Sequence, residues 1–210
     1  MDTIQVIMIE LKKKYKSGSA IEILQEAILF GDIEGGTQVT QNELASALET
    51  SRMPVREALI ALEYQGLIER HSNQHVNISC LSDESIYSIF RDMAALEIEV
   101  IKRWDNDLAL ALPNIRDQKK FHEFIYISAG SPLREKILRI TAEIYLAFVL
   151  DHTDNAGGID SVFNNLKTAM LKPKNLDIIS SAYAVYSELL AKELIRIRKR
   201  RMEECSTSDR

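Results

Sequence analysis

The sequence predicts a mainly α protein in two parts, an N-terminal winged helix-turn-helix followed by an all-α helical bundle. Two observations predict it. Residues 19–80 read as helix, helix, turn, helix and hairpin, with a chemical marker at almost every boundary. From Ser82 onward apolar residues recur at helical spacing and there is almost no strand signal. The domain reading is residues 1–18 as a helical extension, 19–80 as the winged motif, 81–204 as the bundle and 205–210 as a disordered tail.

Ile4, Ile7, Met8 and Leu11 share one face of a helix predicted from about Thr3 to Lys16, broken by Ser17-Gly18-Ser19. Ser19 and Glu22 form a capping-box pair for a helix to Phe30, and Gly31 stops it. Thr37–Val39 is a short extended piece. Thr40 with Glu43 caps a short helix from Gln41 to Leu48. After a turn, Ser51 caps a second helix with Pro54 in its first turn, where a missing N–H does no harm. Val55, Ala58, Leu59 and Leu62 make its apolar stripe, and Gly66 ends it. Leu67–Arg70 and Val76–Ser79 read as two strands joined by His71 to His75. In the second part Ile86, Phe90, Met93, Leu96 and Val100 mark the buried side of a long helix to about Trp104. Further helices are expected from Pro113, from Leu133 to Leu150, from the loop Asn155–Gly158 to Leu171, and from Leu176 to Arg201.

Composition narrows the function. Two cysteines in 210 residues, Cys80 and Cys205, point to a reducing cytoplasm rather than a disulfide framework. The longest apolar runs fall far short of the roughly 18 residues that a membrane span needs, and the N-terminus lacks the basic leader of a signal peptide. Net charge is −5, and residues 1–80 carry 7 Lys and Arg against 11 Asp and Glu, a net of −4. Any nucleic-acid interface must therefore be a local patch. No Gly-x-Ser-x-Gly, phosphate loop or His-Glu-x-x-His occurs, so no enzyme is expected.

The segment "ILFGDIEGGTQVTQNELASALETSRMPVREALIALEYQGLIER" resembles the GntR superfamily of bacterial transcription regulators. The match lies in Gly31 to Gly36, Glu43-Leu44-Ala45, Ser51-Arg52, Pro54 to Leu59 and Gly66-Leu67. The helical half is similar to the FadR-like (FCD) ligand-sensing domain, through Arg91, Glu97, Phe121-His122 and Gly130 to Leu133. The resemblance implies a DNA-binding regulator, a repressor in most relatives. It also implies a homodimer that reads an inverted repeat in double-stranded DNA and is set by a small organic acid or metabolite. Two other readings stand beside it: a winged-helix adaptor that binds only protein, and, remotely, a helical metal-dependent hydrolase built on His122, Asp151, His152 and Asp154.

Arg52 and Arg56 are four apart, on one face of the predicted recognition helix, where an arginine can bind guanine or clamp a phosphate. The resemblance makes both DNA contacts. Ser51, Met53 and Pro54 share that entry turn, while Gln41 and Asn42 open the preceding helix where some relatives place an arginine. Arg70, Asn73, Gln74 and His75 supply the wing, which departs from the family in lacking a glycine and a fixed charge at its tip. In the bundle, Arg91, Tyr87, His122, Arg139, Tyr145 and Tyr183 are candidate effector contacts, with Arg103 as another carboxylate-binding arginine. No cofactor is expected. Relatives hold a divalent metal through one Asp and three His, but here only His122 matches. Gln118 stands where the Asp belongs and Asp117 is one step off, leaving Asp117, His122 and His152 as an incomplete set.

Overall fold

Ser19 and Glu22 close their capping box at the start of helix α1 (Ala20–Phe30), and Gly31 ends it in the left-handed conformation, φ 83°. The computed structural model describes residues 18–71, 75–104, 115–154, 156–171 and 175–208. The predicted helix over 3–16 lies outside them. Strand β1 (Gln38–Thr40) leads into α2 (Gln41–Ala47) through a second capping box, in which Thr40 N–H donates to Glu43 at 2.7 Å. Helix α3 (Arg52–Tyr64) follows a turn whose left-handed residue is Glu49, φ 47°. Gly66, φ 74°, releases the chain into β2 (Ile68–Arg70) and then β3 (His75–Ile78). The sheet is antiparallel in the order β1-β3-β2, with Val39 opposite Val76 and Ile68 opposite Ile78. Val39, Val76 and Ile78 are buried together with Leu24, Ile28, Leu44, Val55, Leu59 and Leu62. These side chains make the winged core the sequence predicts.

The bundle begins with α4 (Asp83–Ile101), capped by Ser82. Helix α5 (Gln118–Ile127) starts later than the predicted Pro113, which lies outside the described residues. Asp117 is its N-cap and accepts from Lys120 N–H, so Ile115 precedes the helix. Helix α6 (Pro132–Ile140) passes into a π-helical segment (Thr141–Leu146) and then α7 (Ala147–His152). Thr141 donates its hydroxyl back to the Ile137 carbonyl, a local competitor for the regular helical bond. Helix α8 (Ala156–Leu171) begins inside the predicted loop, and α9 (Leu176–Ser208) runs past the predicted end at Arg201 and into the predicted tail. Neither glycine nor proline interrupts that stretch. Phe90, Phe121, Phe163, Tyr183 and Tyr186 lie at the centre of the bundle, each at 2% exposure or less.

The chain divides into two compact units. One is formed by the residues up to Leu81 together with those from Arg198 onward, the other by Ser82–Ile197. Within the first unit Arg198 donates to the carbonyls of Ile28 and Leu29, at 3.0 and 2.6 Å, in the last turn of α1, where the Ile28 carbonyl also accepts from the Gly31 N–H. Arg201 lies over the Phe30 ring and pairs with Asp32. Arg198→Ala is therefore expected to destabilise the winged unit by about 1–3 kcal/mol, the range for losing charged hydrogen bonds. Hydrogen exchange of the amides in α1 and α3 would show that loss. Unchanged protection would mean the arginine contributes nothing.

Candidate nucleic-acid interface and the polar core of the bundle

Helix α3 buries Val55, Ala58, Leu59 and Leu62 and thereby turns Arg52, Met53 and Arg56 outward. Among the described residues no hydrogen bond or ion pair engages either guanidinium. Glu63, further along α3, is bound to Arg70, through Nε and Nη2, both at 2.6 Å. Ser51 is the N-cap residue, but its side chain makes no capping hydrogen bond. The first N–H groups of α3 therefore face outward beside two cations, an arrangement that favours an anion.

Gln41 has a different part. Its Nε2 donates to the Arg52 carbonyl at 2.8 Å, tying the start of α2 to the first turn of α3. Asn42 is exposed at the same end of α2, and Pro54 is half-buried. Across from α3, a cleft of about 420 Å³ is lined by Gln41, Arg56, Leu59, Glu63, Arg70, His71, His75 and Val76. The predicted residues Gln41, Arg56, Arg70 and His75 thus share one concavity. Asn73 and Gln74 lie outside the described residues. His71, not singled out from the sequence, joins the cleft. Its signal was its place at the base of the hairpin, mirroring His75 across the turn.

The bundle's candidates separate. His122, Tyr145 and Tyr183 are buried, and Tyr87 is half-buried. Arg91 falls on the exposed side of α4, and Arg103 follows that helix on the surface. Arg139 pairs with Glu135 and Glu143 and lies over the Tyr126 ring. No arginine among these enters the core. One connected set of buried polar groups is Glu97, Gln118, His122 and Tyr186, of which the sequence reading weighed only His122 as a contact. Glu97 could have been found as a carboxylate in register with the apolar positions Phe90, Met93, Ala94, Val100 and Ile101.

These groups form a directed chain. Gln118 Nε2 donates to Asp160 at 2.7 Å, which turns its Oε1 toward Tyr186. The Tyr186 hydroxyl donates to that oxygen at 2.7 Å. With its proton spent there, Tyr186 can only accept from His122 Nε2, 3.2 Å away. His122 Nδ1 lies 2.6 Å from Glu97 Oε1. The 2.6 Å separation places a proton on the Nδ1–Oε1 line. Burial first, then the charges of Glu97 and Asp160, holds the Tyr186 phenol well above its ordinary proton affinity and keeps it a donor. Tyr183 OH and Glu97 Oε2 are buried and fall outside good hydrogen-bond geometry, yet they lie close enough that burial first, then the Glu97 charge and a side-chain hydrogen bond to it, holds the Tyr183 phenol well above its ordinary range.

A divalent metal does not fit this donor set. Both nitrogens of His122 are occupied. Phe163 and Tyr183, near which the family resemblance would put the further histidines, are buried aromatic rings, and Phe163 packs edge-on against Phe121 at 5.0 Å. Asp117 is a helix cap, and His152 bonds the Phe148 carbonyl. Among the described residues no three His, Cys, Asp or Glu are placed to hold a metal.

Comparison with known proteins fits the first unit's geometry. Residues 16–78 match the family model described as bacterial regulatory proteins, gntR family. Over 153 residues the chain is 23% identical to YdhC of Bacillus subtilis (strain 168), an uncharacterized HTH-type transcriptional regulator, covering 62% of this chain and 68% of that protein. Among solved structures it is similar to Lar, which controls expression of the Listeria monocytogenes agr system and mediates virulence. The TM-score there is 0.58 at 15% identity, covering 84% of this chain and 95% of that one. Escherichia coli McbR/YncC gives 0.51 at 15%, covering 93% and 99%. A putative transcriptional regulator GntR from Rhodococcus sp. RHA1 gives 0.51 at 19%, covering 83% and 95%. At these identities the structures speak to the fold. Among the described residues no helix is long and apolar enough to cross a membrane.

Proposed function

We propose, from a chain whose winged domain belongs to the GntR family of bacterial regulatory proteins, that this DNA-binding transcriptional regulator works as a homodimeric repressor. Two copies would present their α3 helices to successive major-groove turns of an inverted repeat. The observation that carries the reading is the pair Arg52 and Arg56, exposed and unengaged at the opening of α3. Two arginines on one helical face, next to uncapped N–H groups, suit a guanine edge and its flanking phosphate. Met53 between them offers an apolar contact.

The bundle is proposed to sense a small molecule and bias the dimer between DNA-competent and DNA-incompetent states. What supports this is the buried polar cluster of Glu97, His122, Tyr183 and Tyr186 at the centre of the bundle. It would be met by a ligand with hydrogen-bonding groups rather than by a bare carboxylate, because the candidate arginines point elsewhere. The resident His122 network leaves no place for a metal-bridged acid.

Arg52→Ala/Arg56→Ala is expected to weaken binding to a duplex selected from a random-sequence pool by at least about a hundredfold, since each well-formed arginine–base contact is worth about 1–3 kcal/mol. Fluorescence anisotropy at two salt concentrations reads it. Equal binding by wild type and variant would transfer the proposal to the winged-helix adaptor. Analytical ultracentrifugation of the free chain would test the dimer.

A further inference from the structure

We propose that DNA binding by this chain is proton-coupled through His71 and His75, which flank the wing turn and set the charge of the cleft beside α3. The inference rests on the DNA-binding reading above and adds its regulation.

Both histidines are exposed and both line the cleft. The charged groups that line the cleft with them are Arg56 and Glu63 from α3 and Arg70 from β2, while Glu69, exposed and opposite Asn77 in the sheet, stands on the same strand face as His71. The other lining residues, Gln41 from α2, Leu59 from α3 and Val76 from β3, carry no charge. Glu63 cancels one of the two arginines by direct pairing. With neutral histidines the cleft therefore carries a formal charge of +1, and with both protonated it carries +3. In a domain whose sequence is net acidic, that change decides how many phosphates the wing side can neutralise. Histidine is the side chain whose charge ordinarily changes between about pH 5 and 8.

The surroundings of His71 accommodate the added proton. Its Nε2 lies 2.8 Å from Asn77 Nδ2, so in this arrangement Asn77 donates and the ring nitrogen accepts. Asn77 Oδ1 is buried and has no partner. A half-turn of the amide presents that oxygen to a protonated Nε2, so the ring can gain its proton without backbone movement. His71 N–H meanwhile donates to the His75 carbonyl at 2.9 Å, which holds the two rings at the base of the same turn. Protonation thus adds charge at a fixed place facing Arg56 and Arg70. The wing has a proton-dependent substitute for the permanent charge its tip lacks.

The test is salt-dependent binding of the full chain to a duplex selected from a random-sequence pool, at about pH 5.5 and pH 8, the range over which histidine changes charge. In wild type the plot of log affinity against log salt should steepen at low pH by about 0.9 for each added charge that meets a phosphate, up to about two per protomer. Affinity near physiological salt should rise about tenfold to a hundredfold. His71→Gln/His75→Gln should keep the shallow slope at both pH values. His71→Arg/His75→Arg should show the steep slope at both, which separates lost charge from a damaged wing. The proposal is overturned if wild type binds with the same slope at both pH values, or if the Gln variant keeps the wild-type pH response. Absence of salt-sensitive binding at either pH, in every protein, would instead sink the DNA-binding reading and this inference with it.

Discussion

Glu97→Ala is expected to cost the bundle about 3–5 kcal/mol, because it strands one member of a fully buried hydrogen-bonded pair. His122 is 0% exposed and Glu97 1%. Removing the carboxylate leaves Nδ1 without its partner, while a cavity opens among Phe90, Met93 and Phe121. The whole chain of bonds to Asp160 then loses its origin. Total stabilities run to only about 5–15 kcal/mol, so the variant sits near the folding threshold. A second substitution keeps the prediction testable. Replacing both partners, Glu97→Leu with His122→Phe, removes the need for any proton or acceptor, and buried pairs replaced by apolar groups of similar volume are commonly neutral or better. The double variant should therefore be more stable than Glu97→Ala by about 2 kcal/mol or more. Trp104, the chain's single tryptophan, is buried in this unit with its indole N–H donating to Ser128, so its fluorescence in urea follows the bundle and not the winged domain. If the single and double variants unfold at the same urea concentration, the pair contributes nothing specific and the network is packing alone.

The two halves differ in how far the sequence carried. In the winged unit each boundary is written in local chemistry: Ser19 with Glu22, Thr40 with Glu43, and Gly31 and Gly66 at positions of positive φ. Local chemistry is what a linear reading can see, so the helices, the hairpin and the outward face of Arg52 and Arg56 were all legible. The fate of Arg70 was not. Its partner Glu63 lies seven residues away across a turn, and the pairing depends on where β2 leaves Gly66. In the bundle the apolar periodicity gave the helices, but the polar contacts span 25 to 68 residues. Arg91 and Arg103 were chosen as carboxylate-binding arginines, Arg91 also on the family resemblance, and Arg139 as a side chain lining the same cavity. Helical phase sends Arg91 to solvent, and Glu135 and Glu143 claim Arg139 at the surface. Glu97, Gln118 and Tyr186 were harder to read because each becomes polar-core only when three helices bring them together. The helix starting at Gln118 rather than Pro113 has a local cause that was readable, since Asp117 is a better N-cap than any residue before Pro113 that the helix could use.

Alkaline pH should unfold the bundle, with Tyr183 and Tyr186 contributing alike to that slope and differently to stability at neutral pH. Burial pushes Tyr145 up to about 12, and burial aided by Glu97 holds Tyr183 and Tyr186 well above the ordinary phenol range. In the unfolded chain a tyrosine loses its proton near the usual value of about 10. Above that pH the unfolded state binds fewer protons than the folded one, so stability is complete below about pH 9 and falls as pH rises through the folded-state values. Each of the three phenols adds about 1.4 kcal/mol per pH unit to the slope, about 4 together, enough to unfold an ordinary domain within a few pH units. At neutral pH the two buried phenols differ. Tyr186→Phe leaves Gln118 Oε1 and His122 Nε2 unpaired and should cost about 1–3 kcal/mol. Tyr183→Phe removes a hydroxyl whose contact with Glu97 falls outside good hydrogen-bond geometry and should cost less, about 1 kcal/mol or under. Either substitution should cut the alkaline slope by about a third, one phenol in three. Urea midpoints of Trp104 fluorescence between about pH 7 and 11 measure both quantities, and that range brackets the ordinary phenol value. Equal losses at neutral pH for the two variants would mean that the Tyr183 hydroxyl is satisfied in solution. The polar cluster around Glu97 would then be closed on itself and no longer support a ligand in the bundle, and the winged domain would be left to carry the regulatory reading through its own charge.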